Sequence, residues 1–351
     1  MTDKVIVALD AMGGDSAPDV VIQGAAIALQ RFPQVEFIFF GVESRLKPLI
    51  DKLPALAGHC SIRHTDHFIT GDAKPTTALR SGRQSSMRLA LDSVANGEAH
   101  CAISAGNTGA LMAMAKFAIK MLPGISRPAI AAMLPTRRGE SVMLDLGANV
   151  ECDAENLVQF ALMGEVFART VLGLARPTVG ILNIGSEELK GNDAVRGAAA
   201  RLRLPGVPID FHGYIEGDEI GAGKVDVVVT DGFTGNVALK TAEGTAKLFS
   251  EFIRNAFASS FMAKIGYLFA KSSLGKLRER LDVRSYNGAV LLGLEGIAVK
   301  SHGSTDALGF ANAIGVGVDM WINGFLDKIR DDIARMKALP ESDEKPQAAA
   351  L

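Results

Sequence analysis

The feature that most constrains this chain is a repeated order of events: a short apolar run, a cluster of Gly, Asn or Asp, then a segment whose apolar residues recur at helical spacing. Short runs that stay apolar without alternating belong to strands buried on both faces, and strands alternating with helices build a parallel sheet covered on both sides. The pattern predicts strands over 5–9, 35–40, 61–64, 101–104, 129–134, 142–146, 178–184 and 225–230. Helices are predicted over 18–30, 76–95, 107–122, 153–172, 193–203 and 307–337. A longer helical stretch covers 233–270 before Ser272, Ser273 and Gly275 interrupt it, and an apolar, Gly-spaced run covers 288–299. No interdomain linker is visible. The expected organisation is one α/β body over 1–340 with a helical excursion at about 234–285, then a disordered tail at 341–351.

Composition supports this class and excludes others. Hydrophobic residues make up 48% of the 351 and aromatics only 6%, so the apolar mass is Ala, Val, Ile and Leu, as in helices packed on a buried parallel sheet. With 22% charged residues, whole-chain disorder is excluded. Lys116 and Lys120 break the stretch from Gly109 to Leu122, and no run reaches the length of a spanning helix. A net charge of -2 gives no global reason to bind nucleic acid. Cys60, Cys101 and Cys152 lie far apart without a CxxC pair, which argues against a disulfide framework or a zinc knuckle. The N-terminus reads as a strand rather than a signal peptide, so the expected compartment is the cytoplasm.

Five of the clusters sit just after predicted strands: 10–15, 104–109, 145–149, 183–192 and 231–236. An open parallel sheet builds its ligand crevice at the carboxyl ends of its strands, and the five loops are expected to share one rim as a single polar cradle. Glycines let backbone N–H groups approach a phosphate, and a helix starting after the loop adds its positive end. Candidate phosphate- or substrate-binding residues are Asp10, Gly13, Gly14, Ser104, Gly106, Asn107, Thr108, Gly109, Asn149, Asn183, Gly185, Asp231 and Gly235. None of the loops is a GxxxxGK[ST] or clean GxGxxG motif, and each taken alone reads equally well as a tight turn. Lys190 is a cation inside a Gly/Asn loop, placed to neutralise a phosphate or a developing oxyanion. Asn236 offers an amide at the start of the long helix. A solvated lysine and a capping asparagine are the plainer alternatives. His64 and His67 lack a third ligand, and His302 lies in a further glycine turn.

At these residues the chain resembles a known family. Val7-Ala8-Leu9-Asp10-Ala11-Met12-Gly13-Gly14-Asp15, Ser104-Ala105-Gly106-Asn107-Thr108-Gly109-Ala110, Asn183-Ile184-Gly185 with Lys190-Gly191-Asn192, and Asp231-Gly232-Phe233-Thr234-Gly235-Asn236 are together similar to the PlsX family of bacterial phosphate acyltransferases. The likeness runs from about residue 4 to residue 337. It implies a three-layer α/β fold with a largely parallel sheet, like that of the isocitrate and isopropylmalate dehydrogenases, with a projecting helical hairpin, and a homodimer. The implied reaction converts acyl-[acyl carrier protein] and inorganic phosphate to acyl phosphate and free carrier protein. The product feeds glycerol-3-phosphate acylation by a membrane acyltransferase in phospholipid synthesis. In this family the residues matching Lys190 and Asn236 are implicated in catalysis. Lys190 is then expected to orient phosphate and Asn236 to donate to the thioester oxygen, with no metal and no cofactor. Ser104, Cys101 and Cys152 lack an adjacent histidine in sequence, which disfavours an acyl-enzyme. The competing readings are a metal- and NAD-dependent 3-hydroxyacid dehydrogenase of the same fold and a noncatalytic membrane scaffold.

The helical excursion carries its own signal. Phe249, Ile253, Phe257, Phe261, Ile265 and Phe269 recur every four positions. Between 248 and 284 stand seven basic residues (Arg254, Lys264, Lys271, Lys276, Arg278, Arg280, Arg284) and three acidic ones (Glu251, Glu279, Asp282). Such a segment suits an anionic membrane surface, with Phe257, Phe261 and Ile265 as contacts, or an acidic carrier protein. A stripe buried in a dimer bundle is the third possibility. The expected location is the cytoplasm, with peripheral attachment to the inner face of the cell membrane.

Overall fold

The computed structural model describes residues 4–280 and 283–338. Its strands are β1 (Val5–Asp10), β2 (Val35–Gly41), β3 (Cys60–His64), β4 (Cys101–Ser104), β5 (Ala129–Thr136), β6 (Gly139–Leu144), β7 (Thr178–Leu182), β8 (Asp210–Ile215), β9 (Val227–Val229), β10 (Ala289–Leu292) and β11 (Ile297–Lys300). The first helices are α1 (Asp19–Arg31), α2 (Glu43–Ile50), α3 (Pro75–Ser81), α4 (Ser86–Ala95), α5 (Thr108–Ala118) and α6 (Ala154–Val171). They are followed by α7 (Asp193–Leu202), α8 (Gly217–Ala222), α9 (Gly232–Ala258), α10 (Phe261–Arg280), α11 (Ala307–Ile322) and α12 (Phe325–Lys337).

All the strands form one eleven-stranded sheet in the order β3-β2-β1-β4-β11-β10-β5-β6-β9-β7-β8. Side chains of β1 show why its strands are apolar throughout. Val5, Val7 and Leu9 enter the core shared with α1, α6, α7, α11 and α12, whereas Ala8 faces α4 and α5 on the other side. Ala8, Ala102 and Ala298 stand in register across β1, β4 and β11. Such a row of methyl groups lets the covering helices come close, and it accounts for the small-residue, aromatic-poor composition.

The sheet reverses direction at its centre. Pairing is parallel except for β10 with β11, β10 with β5, and β5 with β6. Strands β1, β4 and β11 therefore end at one edge of the sheet, and β6, β7 and β9 end at the opposite edge. The single rim expected for the five loops is not formed. Loops 10–15 and 104–109 lie at one edge; 145–149, 183–192 and 231–236 lie at the other. Strands β10 and β11 and the paired core of β5 and β6 are largely buried on both faces, so no hydrophobic alternation betrayed the reversal.

Three predicted helices are each two. The 76–95 segment breaks at Gly82 and restarts where Ser85 caps α4, its hydroxyl accepting from the Arg88 amide at 3.3 Å. Gly324, with φ at 65°, separates α11 from α12. The 233–270 stretch breaks at Ser259 and Ser260, where the Ser260 hydroxyl accepts from the Ala263 amide at 3.1 Å. Helix α10 then runs on through Ser272, Ser273 and Gly275, where an interruption was expected.

Helices α9 and α10 form the projecting hairpin, and its break divides the predicted stripe. The rings of Phe257 and Tyr267 meet at 5.6 Å inside the hairpin, and Phe257 and Ile265 are half-buried. Phe261 and Phe269 are instead 77% and 86% exposed. No helix among the described residues is long and apolar enough to cross a membrane. The tail at 341–351 and the side chains of Lys276, Arg278, Glu279, Arg280 and Asp282 lie outside the described residues.

Candidate active site

At the edge where β1, β4 and β11 end, a fully buried carboxylate organises the loops. Asp10 accepts from the Ser86 and Ser104 hydroxyls, both at 2.6 Å, and the Ser104 oxygen in turn accepts from the Gly106 amide at 3.0 Å. Burial pushes the Asp10 carboxyl above its ordinary pKa, against these hydrogen bonds and those from the Met12 and Gly13 amides. Only glycine fits at position 13, since a Cβ there would stand 2.4 Å from Asp10 Oδ2 and 2.8 Å from the Gly106 amide nitrogen. In front of this scaffold opens a cavity of about 630 Å³. Of the predicted residues, Gly14, Gly106, Asn107, Thr108 and Gly109 line it, while Asp10, Gly13 and Ser104 stand behind and hold the wall.

A helix start faces this cavity. Helix α5 begins against it, capped by Asn107, whose Oδ1 accepts from the Ala110 amide at 2.9 Å. A neutral cap leaves the positive end of the helix uncompensated. The Asn107 side chain also donates to the Gly71 carbonyl at 2.7 Å and so ties down the 68–71 segment, which forms the cavity's other wall through Phe68, Ile69, Thr70 and Gly71.

Sequence reasoning missed the 68–71 wall and the cationic side chain lining the cavity, Lys300. It ends β11, is only 9% exposed, and faces the cavity beside Gly303. Burial lowers its pKa to about 8, with Asp10 and Asp15 acting in the opposite direction. A lysine closing an otherwise apolar run (Ile297-Ala298-Val299-Lys300), directly before Ser-His-Gly, was the available signal.

At the opposite edge the amides point elsewhere. Asp145, fully buried, accepts from the amides of Ile130, Gly147, Ala148 and Asn149 and from Asn149 Nδ2, at 2.8 to 3.2 Å. Asn149 Nδ2 also donates to the Pro128 carbonyl at 2.7 Å. Loop 145–149 is thus internally satisfied, and Asn149 is a structural brace. Asp231 caps α9, accepting from the Thr234 amide and hydroxyl, both at 2.8 Å. A carboxylate there offsets the helix's positive end, which makes α9 a poorer anion site than α5. Gly235 lets α9 press against the Asp145 backbone, and the Asn236 amide lies 3.3 Å from where a Cβ on Gly147 would be.

Lys190 and Asn236 are both exposed at this edge, Lys190 on the loop after β7 and Asn236 in the opening turns of α9, which follows the neighbouring strand β9. Asn183 steadies the Lys190 loop, donating from Nδ2 to the Lys190 carbonyl at 3.2 Å, and Gly185 packs beneath the Lys190 side chain. Helix α9 joins the two edges. Ala238 and Leu239 pack on the same sheet face as α5 and the 68–71 segment. His302, in the loop after β11, titrates below its ordinary value through burial first, then Lys300 and the α9 lysines Lys240 and Lys247, with Glu243 opposing. The first turns of α9 therefore lie along the face that both loop groups border.

No covalent nucleophile is set up among these groups. The Ser104 hydroxyl is committed to Asp10. Burial pushes the Cys152 thiol up to about 11, aided by Asp145 and Asp231, and the Cys101 thiol up to about 12.

The elements described above make a three-layer α/β fold of the isocitrate/isopropylmalate dehydrogenase type. Among solved structures, a phosphotransacetylase from Streptococcus pyogenes superposes with a TM-score of 0.62 at 17% identity, covering 91% of this chain and 94% of its own. The EutD phosphotransacetylase from Staphylococcus aureus gives 0.56 at 18%, with the same coverage. At that identity the likeness establishes the fold. The family model described as "Fatty acid synthesis protein" matches residues 5–328. The chain is 61% identical over 100% of both lengths to the phosphate acyltransferase of Rhodospirillum centenum, and 60% identical to that of Rhodospirillum rubrum over 97% of this chain and 98% of the relative. It belongs to the phosphate acyltransferase family and is an acyltransferase, which sets aside the dehydrogenase and scaffold readings.

Proposed function

We propose that this enzyme transfers a fatty acyl group from acyl-[acyl carrier protein] to inorganic phosphate, releasing acyl phosphate for glycerol-3-phosphate acylation in phospholipid synthesis. The observation that carries the reading is the cavity at the first edge, lined by an uncompensated helix N-terminus and glycine-exposed backbone, groups suited to receive a phosphate anion. Phosphate oxygen attacks the thioester carbonyl carbon, the C–S bond breaks, and the carrier leaves as its thiol after taking a proton. The site must therefore hold a dianion and stabilise a tetrahedral oxyanion.

Lys190 and Asn236 act at the acyl end of this reaction. The lysine neutralises charge as phosphate meets the carbonyl, and the asparagine amide donates to the thioester oxygen. Their exposure suits a substrate delivered on another protein. Asp10, Gly13 and Ser104 shape the phosphate wall from behind. The hairpin serves association: exposed Phe233 and Val237 near its base suit a second copy of the chain in a homodimer, and Phe261, Met262, Leu268 and Phe269 at its outer part suit a lipid surface. Attachment there would place the enzyme at the inner face of the cell membrane, beside the glycerol-3-phosphate acyltransferase that takes its product. Exposed Arg254, Lys264 and Lys271 also suit an acidic carrier protein. Lys190→Ala is expected to lower turnover at least about a hundredfold while the chain stays folded; near wild-type release of free carrier by that variant would refute the role.

A further inference from the structure

We infer that Lys300 is the cation that holds the phosphate group in the first-edge cavity. This rests on the reading that phosphate binds there, and it adds a residue outside the motifs that suggested the reaction. Lysines are almost never this buried unless paired. Among the described residues Lys300 makes no ion pair. Its Nζ donates to the Ala105 carbonyl at 3.4 Å and to the Ser301 carbonyl. An ammonium has three donors, so one remains for a ligand in the cavity that Lys300 lines with Gly14, Gly106, Asn107 and Thr108.

The charges around it leave room for an anion. Asp10 is engaged by Ser86 and Ser104 behind the wall. Asp15 also lines the cavity, but it is exposed and screened by water. His302 follows one residue beyond Ser301, with Lys240, Glu243 and Lys247 of α9 past it. A buried ammonium with no carboxylate in contact, facing the positive end of α5, is costly to fold in the absence of an anion and favourable once a dianion arrives. The lysine is protonated at neutral pH and, with a pKa of about 8, loses that charge within the range where enzymes are assayed.

The test uses the full-length enzyme, Lys300→Met and Lys300→Arg, with the Michaelis constants for phosphate and for acyl carrier protein measured across pH. Methionine keeps the length and apolar stem, so the chain is expected to melt no lower than wild type. The expected result is a rise of about tenfold or more in the phosphate KM, with the acyl carrier KM within about twofold. In wild type the phosphate KM rises as pH passes about 8, where inorganic phosphate is already dianionic. That limb disappears in Lys300→Met and moves upward in Lys300→Arg, whose guanidinium stays charged. An unchanged phosphate KM in Lys300→Met overturns the inference while leaving the acyl transfer reading intact. Should Lys300→Met not fold, an unmoved limb in Lys300→Arg overturns it. Failure of wild type to release carrier in a phosphate-dependent way refutes the underlying reading instead.

Discussion

Replacing Gly235 with alanine adds one methyl group where the first turn of α9 meets the end of β6. A Cβ at that position lies 1.9 Å from the Asp145 carbonyl oxygen, 3.0 Å from Thr230 Cγ2 and 3.1 Å from the Asp145 carbonyl carbon. Ordinary contact begins at about 3.4 Å, so strand end and helix must part by roughly 1.5 Å in a close-packed interior. Asp145 cannot retreat freely, because its amide donates to the Thr230 carbonyl at 3.0 Å and its carboxylate receives the donors of loop 145–149. Overpacking against side chains costs about 1–3 kcal/mol, and a backbone atom gives way less easily, so a loss of about 3 kcal/mol or more is expected for Gly235→Ala. Gly244, in the same helix, is the control: a Cβ there meets nothing within 4 Å. Gly244→Ala should stabilise by about 0.5–1 kcal/mol through helix propensity. Urea denaturation followed by circular dichroism compares the two. The same methyl group added to the same helix must shift the midpoint in opposite directions; a Gly235→Ala protein as stable as wild type would refute the packing argument.

Two further outcomes follow from the site and the hairpin. Asp145→Asn turns an acceptor of five donors into a group that is half donor, leaving at least one buried N–H unsatisfied at about 1–3 kcal/mol each; a wild-type melting temperature would contradict this account of the loop. Phe261→Asp with Phe269→Asp removes exposed aromatic area from the hairpin and should abolish co-sedimentation with anionic vesicles, and unchanged sedimentation would sink the membrane role.

Much of the α/β pattern was legible because its strands are short, apolar and bounded by glycine or asparagine. Strands β10 and β11 were hidden inside the run 288–299, since Gly293 and Gly296 make a turn between two four-residue strands buried on both faces. Edge strand β8 was missed because Asp210, His212 and Gly213 dilute its apolar residues and its pairing with β7 carries an irregularity. Helices α2 and α8 are too short to show a period. The grouping of the loops failed for a tertiary reason: the β5–β6 and β10–β11 hairpins are local, but the antiparallel pairing of β10 with β5, which decides how the two halves of the sheet are oriented, brings together segments far apart in sequence. Composition was equally silent on where amides point. Loops 104–109 and 145–149 share Gly, Ala and Asn, yet one presents its wall to a cavity while the other wraps around Asp145. Lys300 escaped notice because a charged residue at a strand end is usually solvated; its burial comes from the loops of β1 and β4 folding over it.

Under the proposed function, phosphate is the acyl acceptor and the carrier-bound thioester is the donor. The most direct measurement follows the release of free carrier protein from acylated carrier by the purified enzyme as inorganic phosphate is titrated in, with acyl phosphate quantified in the same samples. The expected result is saturable, phosphate-dependent release with one acyl phosphate formed per carrier freed. Release that proceeds equally without phosphate, or that yields free fatty acid in place of acyl phosphate, would contradict it.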